Sequence, residues 1–158
     1  MFRIPITRDG YNKIRDELKR LKTVERKKVV DDIKEARSHG DLSENAEYDA
    51  AKQKQGLMEA KISDLESKMP KFEVIDISNV QGNGKVVFGT TVEIENIDTL
   101  KRRKYKIVGP DESDISDGKI SVMSPIARAM INKEVGDEVL VKVPDGEYEY
   151  EIISVEFL

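Results

Sequence analysis

Hydrophobic positions along the chain follow two rhythms, and the change between them falls near residue 70. In the first stretch apolar side chains recur at Tyr11, Ile14, Leu18 and Leu21, then at Val29, Val30, Ile33 and Ala36. That spacing lies near the turn of an α-helix, and no proline interrupts it from about residue 8 to 37. Thr7 stands where an N-cap is wanted, with Gly10 a weak point just inside, and Gly40 suits a helix end that needs positive φ. A second helical pattern starts near residues 41–43 and runs through Leu42, Ala46, Ala50, Leu57, Ile62, Leu65 and Met69, until Pro70 stops it. The connection is short, so the two helices are expected to fold back on each other. Ile14 then lies near Leu65, Leu18 near Ile62, Leu21 near Leu57 to Ala60, and Val30 near Ala50. At ~1.5 Å per residue each arm measures roughly 40–46 Å, longer than a compact domain needs, so the pair is expected to project.

Beyond Pro70 the rhythm becomes two. Residues 72–77, 86–97, 104–108, 119–123, 138–143 and 147–157 read as strands. Turn sequences punctuate them at Gln81-Gly82-Asn83-Gly84, Gly109-Pro110-Asp111 and Pro144-Asp145-Gly146, the last joining a terminal hairpin. Ser124 caps a short helix that has Pro125 at its first position and runs on through Ile126 to Ile131. The fold class is therefore α+β: a helical hairpin over residues 1–76, then a small antiparallel sheet with one helix over 77–158.

Composition narrows the chemistry. The 158 residues include no cysteine and one histidine, His39, which excludes disulfides, a thiol nucleophile, Cys-ligated zinc and a multi-histidine metal site. Aromatics are 6% and Trp is absent, so the core must be mostly aliphatic. No apolar run exceeds three residues, where a membrane helix needs ~20. The first ten residues lack the apolar core of a signal peptide, and a soluble cytoplasmic protein is expected. The net charge of −4 is uneven: residues 1–77 carry 17 Lys and Arg against 16 Asp and Glu (+1), and residues 78–158 carry 10 against 15 (−5).

The junction of the two helices reads Gly40-Asp41-Leu42-Ser43-Glu44-Asn45-Ala46-Glu47-Tyr48. On a helix, Asp41 and Glu44 face the same way with Cβ atoms ~5–6 Å apart, a spacing at which two carboxylates can share a divalent ion. Mg²⁺ takes one or two carboxylates and fills its shell with water and phosphate, so a working site here needs ligands from elsewhere. The same pair also fits a capping box, Asp41 as N-cap and Glu44 at the third position.

The run from Gly40 to Ala51 resembles the hairpin tip of bacterial Gre transcript cleavage and elongation factors, closest to the GreA type. Ile4-Pro5-Ile6-Thr7, Gly89-Thr90-Thr91-Val92, Tyr105-Lys106-Ile107-Val108-Gly109, Ser124-Pro125-Ile126-Ala127-Arg128 and the terminal Val155-Glu156-Phe157-Leu158 extend the likeness along the chain. The resemblance implies an N-terminal coiled-coil hairpin and an FKBP-like second domain. It implies that the globular domain docks at the mouth of the RNA polymerase secondary channel and the hairpin reaches the active centre. Asp41 and Glu44 there help hold a Mg²⁺ of the polymerase, with Ser43 as helper, and the polymerase cleaves backtracked nascent RNA. The resemblance further implies a factor with no cofactor of its own and no membrane partner, one that activates the polymerase rather than acting as an enzyme. An alternative within the family is an inhibitory or structural channel binder, and outside it a stand-alone metal-dependent nuclease. The intact Asp41/Glu44 pair speaks against the inhibitory form.

By the same resemblance Arg37 and Lys52 face RNA, and Ser124, Pro125 and Ile126 touch the polymerase rim. Each also has an ordinary reading: solvated helix ends for the first two, helix capping for the last three, and an alternative N-cap for Ser43. Lys13, Arg20, Lys27 and Lys34 form a stripe seven residues apart that suits phosphate, although Glu17 and Asp31 lie close enough to make it a salt-bridged surface. His39 reads as a turn residue and Tyr48 as a packing residue. The second domain's aromatics, Phe88, Tyr105, Tyr148, Tyr150 and Phe157, are too few for a prolyl isomerase pocket, and that activity is not expected.

Overall fold

A computed structural model describes residues 3–38, 45–76 and 84–157. They form β1 (Ile4–Thr7), α1 (Arg8–Arg20), a π-helical turn (Leu21–Glu25), α2 (Arg26–Ser38), α3 (Ala46–Lys68) and β2 (Phe72–Ile75). Next come β3 (Thr91–Asn96), β4 (Arg102–Val108), β5 (Lys119–Ser121), α4 (Pro125–Met130), β6 (Glu138–Val143) and β7 (Gly146–Glu156), an α+β arrangement as expected. Among the described residues no helix is long and apolar enough to cross a membrane.

Two compact units emerge: Tyr11–Phe72, and Met1–Gly10 together with Glu73–Leu158. The first ten residues thus group with the second half, whereas the sequence pattern assigns them to the hairpin. Thr7 caps α1 as expected, its Oγ1 accepting from Gly10 N at 3.0 Å. Thr7 is itself held from far along the chain. Its N–H and hydroxyl donate to the two oxygens of Glu112 at 2.7 and 2.5 Å, and Gly109 N donates to the same carboxylate at 3.3 Å. Gly10 is a fitted position rather than a weak point, because a Cβ there would lie 2.5 Å from the Glu112 carboxylate.

In the helical unit the seam is built from Leu21, Val29, Met58 and Ile62, flanked by Leu18, Ile33 and Leu65. The seam uses the expected apolar positions Leu18, Leu21, Ile33, Ile62 and Leu65, with two local changes. Met58 is buried and its neighbour Leu57 is 69% exposed; Val29 is buried and its neighbour Val30 faces solvent. The cause of the second is the π-turn, which adds a residue to the first arm and rotates the helix beyond it. α3 also starts at Ala46 rather than near 41–43, so its 23 residues span roughly 35 Å. Met58→Ala is expected to cost about 2–4 kcal/mol in a urea melt. Leu57→Ala should stay within about 0.5 kcal/mol. Equal losses would mean that the seam lies elsewhere.

The other unit holds a five-stranded sheet in the order β5-β4-β3-β7-β6, and β1 pairs with β2. β6 and β7 form the expected hairpin around Pro144-Asp145-Gly146. β5, expected antiparallel, runs parallel to β4 because the 109–118 connection carries the chain back to start in the same direction. The expected strand 86–97 is shortened to β3: Gly89 at φ +89° and the turn closed by Thr90 on the Val87 carbonyl interrupt it. Val86 instead exchanges backbone bonds with Asn132 and Lys133. Val92, Ile94, Ile107, Val139, Val141 and Ile152 pack against Ala127 and Met130 of α4, an aliphatic core as the composition required.

Candidate functional site

Asp41, Ser43 and Glu44, with His39 and Gly40, lie outside the described residues; the helix ends on either side are described. Asn45 is the N-cap of α3, in extended backbone conformation. Its Oδ1 accepts from Tyr48 N at 3.1 Å, and its Nδ2 donates to the Ala36 carbonyl in the last turn of α2 at 2.5 Å. The capping box assigned to Asp41 and Glu44, and the cap assigned to Ser43, are therefore not what starts α3. Asn is among the best N-caps, and the acids Glu47 and Asp49 in the first turn of α3 favour the positive helix end. Three cap-forming residues within five positions hid the choice from the sequence, since the cap is decided by where the helix begins.

Arg37 is exposed at the end of α2, its guanidinium carbon 6.0 Å from the ring centroid of half-buried Tyr48, which packs as expected. Lys52 is exposed on α3 and donates to Gln55 Oε1 at 3.0 Å. A shallow groove of about 380 Å³ below the junction is lined by Asp32, Glu35, Ala36, Glu47, Ala50, Ala51 and Lys54. Among the described residues, no group of three or more His, Asp or Glu side chains is arranged to hold a metal ion.

The basic stripe is largely open. Lys13, Lys27 and Lys34 are exposed and pair with no described acid. Arg20 bonds Glu25 at 2.8 Å, and Glu17, expected to neutralise the stripe, instead pairs across the helices with Lys61 at 2.7 Å. Lys22–Glu66 at 2.8 Å and the two-bonded Arg26–Glu59 pair, at 2.8 and 2.9 Å, also cross the seam. The Arg26 hydrogen bonds hold the Glu59 carboxyl below its ordinary range and raise the guanidinium above its own.

In the sheet-bearing unit, Ser124 Oγ accepts from Ala127 N at 3.3 Å and donates to the Ser121 carbonyl at 2.7 Å. Pro125 is exposed beside it, and Ile126 is half-buried. Ser124 and Ile126 border a mostly apolar cleft of about 340 Å³ with Tyr105, Ser113, Ile115, Ile120 and Ser121. Ile115 is 80% exposed at its rim and Met123 stands exposed next to Ser124. Ile115 went unnoticed in the sequence because a lone apolar residue inside Asp-Ile-Ser-Asp has no periodicity. Asp114 beside it accepts from Ser116 N and Oγ, bonds that lower its carboxyl below the ordinary range. Tyr105, Tyr148 and Tyr150 line a separate pocket of about 260 Å³, so three of the five aromatics do converge. Tyr148 donates its hydroxyl proton to Asp145 at 3.1 Å, which raises the phenol above its ordinary value.

Residues 4–74 match the family described as "Transcription elongation factor, N-terminal", and residues 81–157 match "Transcription elongation factor, GreA/GreB, C-term". The chain belongs to the GreA/GreB family of transcription elongation factors. Relatives of this GreA/GreB chain include the transcription elongation factor GreA of Francisella philomiragia and that of Francisella tularensis subsp. novicida. Each is 51% identical over 155 residues, covering 98% of this chain and 97% of the relative. Among solved structures, GreA factor homolog 1 of Thermus thermophilus aligns with 98% of this chain and 99% of its own at 24% identity and a TM-score of 0.44, a likeness too loose to bear on the site.

Proposed function

We propose that this GreA/GreB factor is an accessory protein of RNA polymerase in the cytoplasm, stimulating the polymerase's own Mg²⁺-dependent cleavage of backtracked nascent RNA. The observation that carries the reading is the intact Asp41-Leu42-Ser43-Glu44 sequence at the junction of an antiparallel helix pair whose ends are tied together just outside it. The donor set fits the ion: two carboxylates are hard oxygen ligands of the kind Mg²⁺ takes, and Asn45, not they, caps α3. When bound, Mg²⁺ supplies the charge stabilisation and orientation that phosphodiester hydrolysis needs.

The chain's own residues do the remaining work. Asp41 and Glu44 contribute carboxylate oxygens to a site completed by the polymerase and the RNA phosphate, and Ser43 assists with its hydroxyl. Arg37 and Lys52, exposed on either side of the junction, supply positive charge toward the RNA backbone. Ser124, Pro125 and Ile126 meet the polymerase rim, where the apolar cleft with Ile115 offers a seat for a partner's aliphatic side chain. Two carboxylates make an incomplete metal cage, so the chain brings no cofactor and no nuclease of its own. In a stalled elongation complex the full-length chain is expected to release short 3′ RNA fragments and restore extension, and only with polymerase present. RNA cleavage by the purified chain with Mg²⁺ alone would overturn the accessory role. Channel occupancy with slowed extension and no fragments would favour an inhibitory member of the family.

A further inference from the structure

Ala36 lies in the last turn of α2, where carbonyls run out of intrahelical donors, and Tyr48 lies in the first turn of α3, where amides lack acceptors. One side chain serves both. Asn45 donates its amide N–H to the Ala36 carbonyl, and its Oδ1 accepts from the Tyr48 N–H. Only one orientation of the side-chain amide satisfies both partners, so the bonds fix it. At 2.5 and 3.1 Å these contacts hold the two helix ends within the reach of a single short side chain. Arg37 against the Tyr48 ring adds a third link between the same two turns.

We propose that Asn45 is a positioning residue: a two-ended clasp that sets the separation of the helix ends from which Asp41 and Glu44 are presented. The proposal rests on the cleavage-stimulating reading above. Capping alone does not require asparagine, because Asp and Ser cap equally well. What they lack is the second function. Asp has no donor when ionised, and the Ser hydroxyl ends one atom short of where the Asn amide nitrogen meets Ala36. Misplacement of a reacting group by about 1 Å is enough to cost up to a hundredfold in rate, so a loosened clasp should show in catalysis before it shows in folding.

The test uses the full chain on stalled elongation complexes, with Asn45→Asp, Asn45→Ser and Asn45→Ala beside wild type. Four quantities are read: melting temperature, the factor concentration giving half-maximal cleavage, the cleavage rate at saturating factor, and the Mg²⁺ concentration giving half-maximal rate. Asn45→Asp and Asn45→Ser should melt within a few degrees of wild type and saturate within about twofold of its concentration. Their saturated rates should fall about tenfold or more, with more Mg²⁺ needed for half-maximal rate. Saturated rates within twofold of wild type in both variants overturn the proposal, as does a loss confined to the half-saturating concentration. A fall in Asn45→Asp but not in Asn45→Ser traces to the added charge and also overturns it. Asn45→Ala loses cap and clasp together, so the decision rests on the other two. A wild-type chain that releases no fragments strikes the functional reading itself, a result that no pattern among the variants can imitate.

Discussion

Asp41→Ala and Glu44→Ala should each slow RNA cleavage at stalled complexes by at least about a hundredfold while leaving affinity for the polymerase within a few fold. Removing either carboxylate halves what the chain brings to a shared cation site, and the survivor alone is a weak Mg²⁺ ligand. Affinity should persist because the surfaces assigned to docking, around Ser124 to Ile126, are elsewhere in the sequence. Asn45 as the N-cap of α3 speaks against the main competing explanation of such a loss. Had these acids capped α3, alanine would cost about 1 kcal/mol of helix stability, and lost activity would be ambiguous. Asn45 performs that capping, so both variants should melt within about 2 °C of wild type. Asp41→Asn and Glu44→Gln, which keep shape and remove charge, should be nearly as inactive as the alanines. Wild-type cleavage rates in either acid variant would end the metal-ligand reading. A large drop in melting temperature would return the pair to a structural role.

The helix pair was legible because a narrow apolar seam imposes its period on the sequence over many turns. Its fine register was not. Val29 and Val30, like Leu57 and Met58, are adjacent apolar pairs, and periodicity cannot choose between neighbours when a π-turn shifts the phase by a residue. Strands and turns after Pro70 were legible from alternation and Gly-Pro-Asp punctuation, but alternation carries no strand direction, and β5 proved parallel. The chemistry proposed for the junction rests on its residue types and on the family resemblance, since residues 41–44 lie outside the described ones. The residue that ties its flanks was not legible, since the second bond of Asn45 reaches back nine positions to a backbone carbonyl. The grouping of the first ten residues with the second half has the same origin: Glu112 and Thr7 meet across 105 positions, and no local pattern encodes that.

That long-range meeting sets the second large effect. Gly109→Ala should destabilise the sheet-bearing unit by about 3 kcal/mol or more, lowering its melting temperature by roughly 10–20 °C. A Cβ on Gly109 would lie 1.9 Å from the Pro5 carbonyl oxygen and 2.9 Å from its carbon. Gly109 sits at φ −73°, where alanine is at ease, so the whole cost is collision. Both partners are backbone, which cannot swing aside as a side-chain end can; β1 must leave or the 109–112 turn must open. Either movement pulls on Glu112, whose carboxylate holds Thr7 and the Gly109 amide, and Thr7 in turn caps α1. Two further glycines supply the controls. The nearest atoms to a Cβ in Gly10→Ala belong to the Glu112 carboxylate, which can rotate away by surrendering its bonds to Thr7, so its loss should be smaller than that of Gly109→Ala. Gly56, inside α3 with nothing within 4 Å of a Cβ, should gain about 0.5–1 kcal/mol as alanine. Thermal melts followed by circular dichroism rank the three. If Gly109→Ala melts with wild type, the first strand does not pass against that turn, and the attachment of the first ten residues to the second half fails with it.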